Sequence, residues 1–151
     1  MRLPNFEDDY WELRSGEESR LDFPETFTLP PLPDRRKLKR GQAVRLIFDL
    51  EGVGETGYPT IQGERMWVLV TGRWGQGFLG VLLNEPYSLD PADDLYLRLG
   101  AEIPFLPEHV VDINQPPDDY VKEWLARRPS RRWPPLPASK TSEPEKTLKA
   151  S

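Results

Sequence analysis

Cysteine is absent from this chain, histidine occurs once, and methionine only twice in 151 residues. Disulfides, thiolate nucleophiles and cysteine-based metal sites are therefore excluded. A zinc centre would have to draw nearly every ligand from carboxylates. Any histidine-based catalytic relay has only His109 to use, and no Gly-x-Ser-x-Gly elbow accompanies it. Apolar residues are scarce at 37%, against 30% charged. No run approaches the roughly 18 apolar residues needed to cross a membrane. The opening stretch turns acidic at Glu7 without the apolar centre of a leader peptide. These absences lead us to expect one domain, cytoplasmic, with no metal, no cofactor and no membrane partner.

What is plentiful is proline and charge. Seventeen prolines and a net charge of −5 describe a compact centre with poorly packing arms. The charge is uneven: residues 1–30 carry three basic and eight acidic side chains, and residues 127–151 carry seven basic and two acidic. An acidic total disfavours wholesale nucleic-acid binding.

The hydrophobic centre is Arg65 to Asn84. Met66, Val68 and Val70 alternate with Trp67, Leu69 and Thr71, and Phe78, Gly80 and Leu82 alternate with Leu79, Val81 and Leu83. Apolar groups on both faces predict a strand pair buried on both sides, joined by a turn at Gly72–Gly77. Gly80 in mid-strand predicts a bulge or bend.

An earlier strand is expected from Leu38 to Phe48 and a later one from Leu95 to Leu106, with a last short one at His109–Ile113. The first two share a pattern: Leu38, Gly41, Val44, Leu46 and again Leu97, Gly100, Ile103, Phe105. Two such turn-into-strand units suit matching barrel corners, and Pro104 places the second at a sheet edge. Residues 51–63, with four glycines, read as a loop.

Residues 1–37 read as an irregular arm, with Tyr10–Leu13 a helical turn or short strand. Pro30–Pro33 is either a polyproline ligand or part of a lid. The stretch 114–129 reads as a helix, with proline ahead of it, acids in its first turn and arginines in its last. Val121, Trp124, Leu125 and Arg128 share a face, as do Tyr120 and Trp124, so one side can pack on the barrel. Residues 130–151 read as a flexible tail, anchored if anywhere at Trp133. The expected fold is α+β: a small bent antiparallel sheet or partly open barrel spanning 38–113, one C-terminal helix and proline-rich arms.

Chemistry is harder to place. Asp90, Asp93 and Asp94 come closest to oxygen-ligand spacing, without an EF-hand pattern around them. Glu64, Glu85, Glu102 and Glu108 flank turns, where solvent would keep carboxylates ordinary. No residue is nominated as catalytic. For a partner surface, Trp74 beside Arg73 at a hairpin tip has the composition of an interface anchor; the alternative is that the arm or the helix covers it. Gln76 at the tip and Tyr58 in the 51–63 loop complete the candidate set. The expected function is a non-enzymatic protein-binding module. The alternative is a small barrel that binds single-stranded nucleic acid, using Arg65, Trp67, Arg73, Trp74 and the basic run Arg35–Arg40.

The segments Gly63-Glu-Arg-Met-Trp-Val68, Gly80-Val-Leu-Leu-Asn-Glu-Pro86, Leu97-Arg-Leu-Gly-Ala-Glu-Ile103 and His109-Val-Val-Asp112 resemble a bacterial family of unknown function. That family has a Glu-Arg-Met-Trp-Val strand, and some of its members look like immunity proteins encoded beside toxins. The resemblance spans roughly residues 23–113 and implies no reaction. The chain departs from it with Gln42 and Ala101 where aspartate commonly follows glycine, and with the 51–63 segment, helix and tail.

Overall fold

The computed structural model describes residues 2–53, 57–89 and 95–136, without the side chains of Val53 and Pro59. Six strands form one antiparallel sheet curled into a half-barrel: β1 (Trp11–Leu13), β2 (Ala43–Val53), β3 (Pro59–Trp74), β4 (Gly77–Leu82), β5 (Glu102–Phe105) and β6 (Asp112–Asn114). Their order is β1-β2-β3-β4-β5, and β6 pairs with the other end of β2's outer edge. Helices α1 (Phe6–Asp9), α2 (Gly16–Asp22) and α3 (Leu32–Arg36) precede β2, and α4 (Asp118–Ala126) follows β6.

Alternation along β2 and β3 sorts side chains to two faces. Val44, Leu46, Phe48 and Leu50 share the main core with Met66, Val68 and Val70, joined by Phe78, Leu82, Ile103 and Phe105. Phe78 and Phe105 are register partners on β4 and β5, with stacked rings 5.5 Å apart. Burying each of these rings stabilises the fold by roughly 1.5–3 kcal/mol. On the opposite face Ala43, Leu69 and Val81 are covered by Val121, Trp124 and Leu125 of α4. The central hairpin is thus buried on both sides, because each face has its own covering layer.

The two matching Leu-x-x-Gly units fold alike. Gly41 and Gly100 have φ of 98° and 85°, a left-handed backbone that glycine adopts without steric cost. Gly41 N–H donates to the Val70 carbonyl, and Val70 N–H returns a bond to Gln42. Gly100 N–H donates to Leu82, and Leu82 N–H returns a bond to Ala101. The same corner therefore grips the central hairpin from either side, with Leu38 and Leu97 each plugged into the core. Pro104 lies on β5, the edge strand, where its missing N–H costs no ladder bond.

The bend expected at Gly80 takes the form of a register shift between Val70 and Gly72, with the extra residue on β3. A Cβ at Gly80 would sit 2.5 Å from Val68 Cγ1 and closer still to the Leu69 carbonyl oxygen, so the strands approach only because it is absent.

Several expectations change. The N-terminal arm is not irregular: β1 and three short helices occupy it, with Asn5 and Ser15 side chains capping α1 and α2. Pro33 lies inside α3, so Pro30–Pro33 is not an extended polyproline segment. The 51–63 stretch is mostly hairpin, since β2 and β3 stay in register from Glu51↔Ile61 to Val53↔Pro59. Its residues 54–56 lie outside the described residues. His109 closes a 3-10 turn (Pro107–His109), and the last strand starts at Asp112. In the stretch read as tail, Ser130 donates to the Leu99 carbonyl, Arg131 bridges Ala101, and Trp133 is buried. Residues 137–151 lie outside the described residues.

Candidate functional site

Trp74 and Gly77 are cross-strand partners, so Gly75 and Gln76 alone make the β3–β4 turn, with Gly75 at φ 61°. The turn is shorter than the Gly72–Gly77 span read from the sequence, because pairing continues through Arg73. Arg73 and Gln76 are exposed. Trp74 is half-buried against the main core, the cluster that also takes in Trp11 of the N-terminal arm.

Two hydrogen bonds bring a second basic segment to this tip. Arg73 Nη2 donates to the Arg36 carbonyl at 2.9 Å, and Arg40 Nη1 donates to the Thr71 carbonyl at 2.8 Å. The linker 36–40 is thereby held along the outer end of β3. Arg36, Lys37, Lys39, Arg40 and Arg73 are all exposed. Among the described residues none of the five makes an ion pair. Arg35 differs: it is buried, bridged to Glu17 at 2.8 Å, and donates to the Pro30 and Pro107 carbonyls.

Tyr58 does not join this group. It sits at the opposite end of β3, whose 16 residues make roughly 50 Å of strand at ~3.3 Å each. There it is 73% exposed, near Ile61 at 52%.

Three of the groups considered for catalysis, His109, Glu102 and Glu64, have hydrogen-bond partners within the fold. His109 Nδ1 accepts the Leu106 N–H at 3.0 Å, so its neutral form carries the proton on Nε2. Burial pushes its pKa down to about 4, against a weaker opposing pull from Glu17. Glu102 is not a solvated turn residue: it lies on β5, 8% exposed, and accepts the Trp133 N–H at 2.9 Å. Glu64 accepts from the Tyr87 and Ser88 backbone and from the Ser88 hydroxyl, fastening the segment that follows β4. Among the described residues no cluster of histidine and carboxylates could hold a metal ion. Asp90, Asp93 and Asp94 lie outside them.

An apolar cavity of about 250 Å³ escaped the sequence reading. Trp11, Leu50, Leu89 and Tyr96 line it, with Asp9 and Glu51 contributing carboxylates. Trp11 stacks on Tyr96 at 6.3 Å, and Trp133 meets both rings edge-on. Tyr96 donates to the Glu102 carbonyl, and burial raises its pKa. Asp9 is already engaged by Arg2 through two 2.9 Å bonds. The one available clue was a tryptophan set among acids. Its partners lie about 85 and 120 residues away, beyond the reach of local periodicity.

Among the described residues no helix is long and apolar enough to cross a membrane. Comparisons with protein-family models, with curated proteins and with solved structures find no match for this chain, so function rests on the geometry above.

Proposed function

We propose that the chain is a non-enzymatic protein-binding module whose contact surface is the β3–β4 tip together with the 36–40 linker. One observation carries this reading: exposed Arg73 and Arg40 flank the tip that presents Trp74 and Gln76, and neither is paired to a carboxylate among the described residues. On a chain of net charge −5 such a patch is a local reversal of sign. It suits an acidic protein surface, with charge steering the encounter and the tryptophan supplying apolar contact. A regulatory or immunity-like use agrees with the family resemblance. Tyr58, at the far end of β3, would belong to a separate contact.

The same pair of arginines beside an aromatic favours single-stranded nucleic acid as a second reading. It is weaker because stacking needs open ring faces, and Trp74 is half-buried.

A photo-crosslinking residue at Gln76 in host extract is expected to capture an acidic partner. Double charge reversal, Arg40→Glu with Arg73→Glu, should lower the yield about tenfold, equivalent to ~1.4 kcal/mol, with the chain still folded and its thermal midpoint lowered only by the loss of two exposed hydrogen bonds. Undiminished capture by the folded double variant would refute the proposal. Tight binding of oligothymidylate, falling steeply as salt rises, would instead favour the second reading. Trp74→Ala is a poorer probe, because a half-buried ring also contributes to stability.

A further inference from the structure

On the sheet face that carries α4, but further along β2 and β3, lies a polar cleft of about 240 Å³. Its floor is Arg45 of β2 and Arg65 of β3. In the β2–β3 register Arg45 faces Trp67 and Arg65 faces Ile47, so the two arginines are diagonal neighbours on one face. The opposite wall is the segment between α2 and α3, with Thr26, Phe27 and Thr28.

Each guanidinium rests on an aromatic ring. Arg45 lies 4.8 Å from the Trp67 ring centre, and Arg65 lies 5.5 Å from that of Phe27. Stacking orients a guanidinium while leaving its edge N–H groups free to donate. Neither arginine makes an ion pair among the described residues, and the reasons are visible. Asp49, the same-face residue beyond Ile47 on β2, is taken by Arg14. Asp112, which faces Arg45 from β6 and lines the cleft, turns Oδ1 to the Ile113 N–H. The Thr26 and Thr28 hydroxyls donate to no acceptor among the described residues. Two positive groups therefore line one cavity beside a single carboxylate, with planar forks unfilled.

We infer that this cleft is an oxyanion-binding site, taking a carboxylate or phosphate group of a small ligand between Arg45 and Arg65. The forks supply charge-assisted bonds that match a carboxylate or phosphate edge, and the threonine hydroxyls supply further donors. Asp112 limits the site to one anionic group by repelling a second. This inference does not depend on the protein-binding reading, whose surface lies at the tip of β3.

Calorimetric titration of the full chain at low ionic strength tests it, with inorganic phosphate and acetate as separate probes. One-site binding is expected for at least one probe, and which one binds distinguishes the two sources of oxyanion. Arg65→Gln, at an exposed position, should weaken that binding about tenfold or more without shifting the thermal midpoint. Arg45→Lys, which keeps the charge but loses the fork, should weaken it as well. Arg127→Gln, at the C-terminal cap of α4, should leave it unchanged. No saturable heat from either probe at about 10 mM would overturn the inference. So would equal affinity in Arg65→Gln, or an equal loss in Arg127→Gln.

Discussion

His109 is one side chain whose role is set by burial. In water an imidazole titrates near pH 6.5; here burial holds it neutral down to about pH 4 so that Nδ1 can accept the Leu106 N–H. The native state therefore binds its proton less readily than the unfolded chain. Its contribution is complete above pH 6.5 and is lost as pH falls toward 4, where the unfolded chain gains the proton first. A shift of this size corresponds to about 3 kcal/mol. Denaturant titrations at several pH values should show stability falling across this window. His109→Asn keeps an acceptor for Leu106 without titrating, so it should remove that part of the slope. An identical slope in the variant would show that other groups carry it. Sequence alone read His109 as the start of a short strand, since neither burial nor the acceptor role has a local pattern. Glu102 shows the same limit more sharply. It follows a turn glycine and reads as solvated, yet Trp133, 31 residues later, closes over it.

Among the elements, the central hairpin was the most legible. Period-two alternation identified both faces of β3 and separated Phe78 and Leu82 from Val81 on β4, although Leu79, read with Val81, packs on the main core, and Gly80 signalled the bend. Because a Cβ there meets backbone as well as Val68, the strand cannot accommodate it by turning a side chain aside. Gly80→Ala is expected to cost roughly 2–3 kcal/mol or more, as overpacking of a tight core does. Chemical denaturation measures this, and a near-neutral effect would show that the bulge can relax. The repeated corner was also readable, since a left-handed glycine followed by alternating apolar residues is a local signal. The β2–β3 hairpin was not. Four glycines and a proline between 51 and 63 look like a loop, and only pairing with the opposite strand keeps Glu51–Val53 extended. Likewise α1, α2 and α3 span 4, 7 and 5 residues, too short for a helical period to stand out.

In the whole molecule, the two ends of the described chain meet. Trp133 Nε1 donates to the Arg2 carbonyl, the Arg2 guanidinium lies 4.6 Å from its ring centre, and Arg2 bridges Asp9. The same indole packs on Trp11 and Tyr96. Trp133→Ala is therefore expected to cost about 3–5 kcal/mol and to loosen the N-terminal segment along with the 130–133 segment. Trp133→Phe should recover most of the loss, since packing is kept and one hydrogen bond, worth about 1 kcal/mol, is not. Thermal and denaturant midpoints with amide exchange at residues 2–9 would check both. Exchange at those residues unchanged in Trp133→Ala would show that the ends are held independently.

Local alternation, turn glycines and edge prolines, read from the sequence by itself, determined the strands of the central hairpin, the paired corners and the edge position of β5. Those features are specified by neighbours a few residues apart, which a linear pattern can register. Tertiary structure alone decided what surrounds each charge. The 36–40 linker runs beside the end of β3 only because Arg73 and Arg40 reach across to backbone carbonyls. Arg45 and Arg65 line one cleft only through the β2–β3 register and the arm that closes over them. Electrostatic surroundings are sums over groups brought close by folding, and no local periodicity encodes that sum.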